Sequence, residues 1–379
     1  MHRFLYLFLL SLGISTAAEP VTLHWLGDAA PGAPNGITWG VPWPKGAVSA
    51  NTPMRLEAAD GRRIDVQTWP LAYWPDGSVK WSGHAIAAAA GLNGPLQLSA
   101  SHANEERARP VEIKYAEDAD TFTIDTGTMR VRVARRRTRV IESITIGERV
   151  VAQNGMLIAL REDRSQPGAP RDIELRGGIE KATLEQSGPV RAVIKLEGRH
   201  VEAGTGGRAW LPFTLRLAFF AGSGAIRLTH SFVYDGDGNR DFLKGIGLSF
   251  QVPYKEEPHN RHFRFVGDAD GGVWTQPVRM LPGYRPQSGR AVVEHYAAHL
   301  AGQRVPNLTE FDERTRNNIL TVPLWADAKL TQVGPNNWSL HKRTTADASW
   351  LHVTDGRRAR GLAVVADVSG GLAVGVKDF

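Results

Sequence analysis

The densest group of side chains able to move protons lies in "YKEEPHNRHFRF", Tyr254 to Phe265. His259, Asn260, Arg261 and His262 follow a proline there without a break. Together they suit one step, the removal of a weakly acidic proton α to a carboxylate. Such a proton leaves only once the carboxylate charge is neutralised, a task for Arg261 with Asn260 binding beside it. A neutral imidazole, His259 or His262, then accepts the proton. The plain alternative is a solvated loop of mixed charge. A second candidate stands upstream in "AIRLTHSFVY", where His230 interrupts an apolar face made by Ile226, Leu228, Phe232 and Tyr234. A lone histidine on such a face is more often a hydrogen-bonded core group. It becomes functional if the face opens into a cleft, and Tyr234 then adds a phenol.

Other groupings carry less. "DGDGNRD" (Asp235 to Asp241) begins like a calcium loop, but the sixth position holds Arg240 and the twelfth Ile246. A polar turn is the simpler reading, with a structural calcium as the one metal left open and no cofactor otherwise required. His295 and His299 stand four apart and would share one face of a helix, yet no third ligand accompanies them. "MRVRVARRRTRV" sets Val131 and Val133 against Arg130 and Arg132, the pattern of a strand with a solvated face. It could equally rim a site for an acidic polymer. "WPLAYWPDGSVKW" (Trp69 to Trp81) holds three of the eleven tryptophans. Asp76-Gly77 after a proline marks a turn, so this is a hairpin. Its aromatics fill a small barrel, or Trp74 and Trp81 stack on a sugar ring; packing is the stronger expectation.

The elements that must position these groups are strands. Period-two apolar patterns run through "FTIDTGTMRVRV", "VRAVIKLEGRHV" and "LPFTLRLAFF", and "AGSG" joins the last to "AIRLTHSFVY" as a hairpin. Gly289 to Leu300 is the best short helical candidate. The class is all-β, a small N-terminal β-barrel followed by a large antiparallel β-sandwich. The apolar run from Phe4 to Ile14, with a basic start and small residues to Ala18, reads as a signal peptide over 1–18. A polar, charged stretch closed by Pro110 separates a barrel at 19–108 from a sandwich at 109–379. The net charge of +6 is too modest to imply nucleic acid and suits an acidic polysaccharide. With no cysteine there is no disulfide and no thiol nucleophile. The expected location is periplasmic or secreted, with no membrane contact once the signal is cleaved.

"GITWGVPWPKGAV" followed by "VQTWPLAYWPDGSVKWSGHAI" resembles the N-terminal barrel of the exo-rhamnogalacturonan lyase family, the group around polysaccharide lyase family 26. "THSFVYDGDGNRDFLKGIGLSFQVP" and "HNRHFRFVGDADGG" are similar to its central β-sandwich. "RGLAVVADVSGGLAVGVKDF" resembles the point where that sandwich hands over to a helical toroid. The resemblance implies β-elimination at a galacturonate. Arg261 would neutralise the carboxylate, and His230, His259 or His262 would transfer the proton, with Tyr234 a weaker candidate. The alternative is a non-catalytic carbohydrate-binding or scaffold portion of such an enzyme.

Overall fold

A computed structural model describes residues 18–26, 30, 36–87, 92–101, 111–166, 168–202, 207–268, 272–282, 290–377 and 379. Residues 1–17 of the expected signal segment and the polar join after Ser101 lie outside the described residues. The chain packs as two compact units, one from residues 1–148 and 156–249, the other from 149–155 and 250–379. Among the described residues no helix is long and apolar enough to cross a membrane.

The first unit begins with a barrel of seven short strands. These are β1 (Val21–Leu23), β2 (Ile37–Pro42), β3 (Met54–Ala58), β4 (Arg63–Ile64), β5 (Val66–Tyr73), β6 (Val79–Ile86) and β7 (Leu96–Ala100). They pair antiparallel in the orders β1-β7-β3-β4 and β2-β6-β5. Val41, Trp43, Leu56, Ile86 and Leu98 fill the interior, with Trp25 and Trp39 packed against them. Among the polar groups buried there, Trp43, Ser82, His84 and Thr68 form one chain of hydrogen bonds, while the indole N–H groups of Trp25 and Trp39 have no partner. Trp43 donates its indole N–H to Ser82 Oγ at 2.7 Å, and the His84 ring bonds Ser82 Oγ at 2.7 Å and Thr68 Oγ1 at 2.9 Å. Asp76-Gly77 makes the expected turn between β5 and β6, with Gly77 at φ +83°. The aromatics of this hairpin do not fill the barrel as expected. The register slips twice between Pro70 and Tyr73, and Leu71, Tyr73 and Trp81 emerge at the surface.

Ten strands form the sandwich sheet: β8 (Lys114–Glu117), β9 (Thr121–Asp125), β10 (Arg130–Ala134), β11 (Arg139–Ile146), β12 (Arg149–Asp163), β13 (Arg171–Ser187), β14 (Arg191–Glu202), β15 (Ala209–Phe220), β16 (Ile226–Phe232) and β17 (Asp241–Gln251). The order is β16-β15-β14-β13-β12-β11-β10-β9-β8, and β17 adds to β12. The predicted hairpin forms with Leu217 opposite Leu228, Leu215 opposite His230 and Phe213 opposite Phe232, so one apolar face runs across both strands. β16 ends at Phe232, which places Tyr234 beyond the strand rather than on its face. In β10, Val131 and Val133 are fully buried, while Arg130 and Arg132 face outward onto Asp125 and Glu142. That is the solvated basic face expected of the sequence.

The second unit holds β18 (Arg261–Val266), β19 (Val273–Pro277), β20 (Asp327–Gly334), β21 (Asn337–Arg343), β22 (Leu351–Gly356), β23 (Leu362–Asp367) and β24 (Gly370–Gly375). They form the sheets β19-β18-β23-β24 and β20-β21-β22. Helix α1 (Arg290–Leu300) falls where the helical candidate lay. Helix α2 (Glu313–Leu320) was not foreseen; Asp312 caps it by accepting from Thr315 N at 2.9 Å. Leu281, Val292, Val305, Phe311 and Ile319 form the core between them. Asp367 ties the unit together. It accepts from Arg149 Nη2 at 3.0 Å, Lys255 N at 2.8 Å and both Ser369 N and Oγ at 2.9 and 2.8 Å. Burial alone would raise its pKa, but these donors hold it at about 2.

Candidate functional site

Two unpartnered imidazole nitrogens lie where β14, β15 and β16 meet. β15 bulges at Leu211, left unpaired between Pro212 opposite Arg199 and Trp210 opposite His200, while His200 keeps its place on the apolar face, fully buried. Across from it the chain is forced into the left-handed region at Leu211, φ +49°, an uncommon conformation for a side chain of this size. Two hydrogen bonds hold it there. Leu211 N donates to Asp235 Oδ1 at 2.9 Å, and the Leu211 carbonyl accepts from His200 Nδ1 at 2.9 Å. A carbonyl can only accept, so Nδ1 carries the proton and Nε2 of His200 keeps a lone pair that meets no partner.

His230 stands beside it, its ring centroid 5.8 Å from His200, 6.0 Å from Phe213 and 5.8 Å from Phe232. Its Nε2 has no hydrogen-bond partner either. Burial, with His200 adding, pulls its pKa to about 4, and burial likewise lowers that of His200. Both rings are therefore neutral at neutral pH. The apolar face opens at this edge, since Phe232 is 41% exposed while Phe213 is buried. Phe232 is exposed at the strand end, while Nε2 of His230 itself is covered. Tyr234 is placed differently from expectation. Its hydroxyl donates to the Asp241 carbonyl at 2.7 Å and its ring meets the edge of Trp210, so its role here is to hold the turn.

Arginines flank this edge. Asp235 takes both Nη groups of Arg199 at 2.8 Å. Asp241, buried, is gripped by Arg208 through both oxygens at 2.7 Å and by Arg161 at 3.1 Å, and accepts from Asp237 N at 2.8 Å. Hydrogen bonding from Arg208 is the main reason its pKa is lowered. The carboxylates of "DGDGNRD" thus serve arginines and backbone amides. Among the described residues no group of three or more His, Cys, Asp or Glu side chains is arranged to hold a metal ion.

The cluster that stood out in the sequence is mostly interior. His259 and Asn260 are 0% exposed and His262 1%. His259 Nε2 donates to the Pro306 carbonyl at 2.9 Å, and Asn260 bonds Val305 in both directions at 3.0 and 3.1 Å. These two residues fasten the 3-10 turn Pro258–Asn260 to the segment after α1. His262 lies 6.3 Å from the ring of His299, and neither of its ring nitrogens has a partner. Arg261 is the next residue along the strand and so faces the opposite way. Its Nε donates to the Glu256 carbonyl at 2.6 Å and its guanidinium sits 4.9 Å from the Tyr254 ring centroid. His259, Asn260 and His262 are enclosed and cannot touch a polymer, and Arg261 is not grouped with them. The pair His295 and His299 is also divided. His299 accepts from Leu281 N at 3.2 Å, while His295 packs on Phe311. Of the two hairpin tryptophans, Trp74 is tied down by its Nε1 donating to the Trp43 carbonyl at 3.0 Å, with Lys80 4.7 Å from its ring centroid. Trp81 is 41% exposed.

His200 was the residue missed. The signal was present, because it continues the apolar alternation Ile194, Leu196, Gly198 as His230 continues Ile226 and Leu228. The family described as PcRGLX-like protein central beta sandwich domain matches residues 113–379, and the PcRGLX-like N-terminal RIFT barrel domain matches residues 19–101. The chain is also similar to an uncharacterised protein, YetA, of Bacillus subtilis (strain 168). The two are 34% identical over 368 residues, 94% of this chain and 41% of that protein. The chain therefore spans less than half the length of this relative.

Proposed function

Since the chain belongs to the PcRGLX-like family, related to rhamnogalacturonan lyases, we propose that it acts on acidic pectic polysaccharide by β-elimination at the His200–His230 edge. The observation that carries this reading is His230 itself: a neutral, half-buried imidazole whose Nε2 has no hydrogen-bond partner and is covered in this structure, beside the exposed Phe232 at the end of its strand. His230 takes the proton from C5 of a galacturonate, α to the carboxylate. The C–H electron pair becomes the C4=C5 bond, the C4–O bond breaks, and the departing sugar oxygen takes a proton from water. At a pKa of about 4 the free imidazole is a weak base, but the carboxylate of a bound uronate raises it, so basicity develops with substrate in place. Arg199 precedes His200 in β14, faces the other side of the sheet and pairs there with Asp235, so no neutraliser is assigned on the imidazole face. No cofactor enters the scheme, and export across the inner membrane follows from a pectic substrate.

The test is absorbance of the unsaturated product when the chain is incubated with rhamnogalacturonan. The wild-type chain should form product, and His230→Ala should lower the rate about a hundredfold or more with its thermal midpoint retained. Absence of product from the wild-type chain, or an unchanged rate in the variant, refutes the assignment.

A further inference from the structure

Two tryptophans lie flat on the outer face of the barrel, and only one of them is covered. Gly40 of β2 and Gly83 of β6 are directly paired. A Cβ added at Gly83 would stand 2.4 Å from the Trp69 indole, and one added at Gly40 would stand 2.2 Å from Nε1 of Trp81. Each ring therefore rests on bare backbone, an arrangement that any side chain at either position would break. Above Trp69 lies the Arg191 guanidinium, 5.2 Å from the ring centroid, and Ala85 and Val190 pack around it. Trp81 has no such cover. It is 41% exposed, with exposed Pro42 paired opposite, and Leu71 and Tyr73 on the adjoining strand are 56% and 52% exposed.

We propose that Trp81 is the floor of a carbohydrate subsite on the barrel that takes the apolar face of a neutral pyranose ring. A rigid aromatic plane, backed by backbone and open on one side, matches the C–H face of a sugar in size and flatness. Charge argues for a neutral ring over a uronate. Lys80 of β6 and Arg191 of β14 are already engaged, Lys80 over Trp74 and Arg191 on Trp69 with Gln186 Oε1 at 2.5 Å. A single flat ring also offers too little area to hold a protein partner. The subsite rests on the barrel's own geometry and stands whether or not His230 accepts a proton.

The experiment is calorimetric titration of the full chain carrying His230→Ala, so that no turnover is read. The ligands are a rhamnogalacturonan oligosaccharide, which presents neutral sugars, and an oligogalacturonate of equal length, which does not. The first should bind more tightly. Trp81→Ala should weaken it about tenfold with an unchanged thermal midpoint. Gly40→Val, which leaves Trp81 in place but lifts its ring, should do the same, and Trp74→Ala should not. Equal binding by Trp81→Ala, equal binding of the two oligosaccharides, or binding of neither overturns the proposal. So does concentration-dependent association in sedimentation that Trp81→Ala abolishes, which would make the face a contact between copies of the chain.

Discussion

Acidification should loosen the second unit well before its carboxylates protonate, and His262→Phe should remove a large part of that sensitivity. His262 and His299 are 1% and 0% exposed, and burial lowers each from 6.5 to about 4. Neighbouring Arg264 adds to the cost of charging His262, and each of the two rings would repel a proton on the other. The folded state keeps both rings neutral, while the unfolded chain binds protons below about 6.5. Their contribution is therefore complete above that pH and declines as pH falls from 6.5 toward 4. Going from pH 7.5 to 4.5 costs ~2.5 kcal/mol for each ring, a large part of a typical folding free energy. Asp367, held at about 2, stays ionised across this window and does not confuse the reading. Phenylalanine has nearly the shape of the imidazole and brings no polar atoms. Neither nitrogen of His262 has a partner of normal geometry, so the substitution loses at most a weak approach to the His299 backbone. Urea unfolding followed by circular dichroism at pH 7.5, 6.5, 5.5 and 4.5 measures this. The variant should equal or exceed the wild type at pH 7.5 and lose ~2.5 kcal/mol less on descending to pH 4.5. A variant weakened by more than ~2 kcal/mol at pH 7.5, with the pH slope unchanged, would show that those nitrogens are hydrogen-bonded and would refute the reasoning.

Two further expectations follow from the ion pairs. Asp367→Asn should destabilise the second unit by ~3–5 kcal/mol in urea unfolding, because Arg149 is left nearly buried without its counter-charge. Arg132→Gln should change stability by less than ~0.5 kcal/mol in the same assay, since its partner Glu142 lies across an exposed face.

The strands and their hairpins were legible because their pattern is local. In β15 and β16, Phe213, Leu215 and Leu217 face Phe232, His230 and Leu228, as period-two alternation requires. The barrel hairpin escaped the same rule because two register slips reorient Leu71, Tyr73 and Trp81. The cluster around His259 was misread for a different reason. Density of polar groups says nothing about what covers them, and the covering carbonyls of Val305 and Pro306 come from 45 and 47 residues away. His200 needed only the alternation rule already applied to His230. Its contact with the Leu211 carbonyl, by contrast, depends on a left-handed residue that no propensity predicts. Trp81 was singled out, but its exposure rests on Gly40, a glycine on another strand.

The tie between Arg149 and Asp367 joins residues 218 apart in the chain. Closing so long a span is entropically costly, so this contact should form late, after the segments on either side have ordered. It also sets how the protein can be dissected. A fragment starting at Phe250 would carry Asp367 with its ring of amide donors but without Arg149, leaving a buried negative charge short of its cation. During synthesis on the ribosome the same asymmetry is harmless, because the arginine emerges long before the aspartate that needs it.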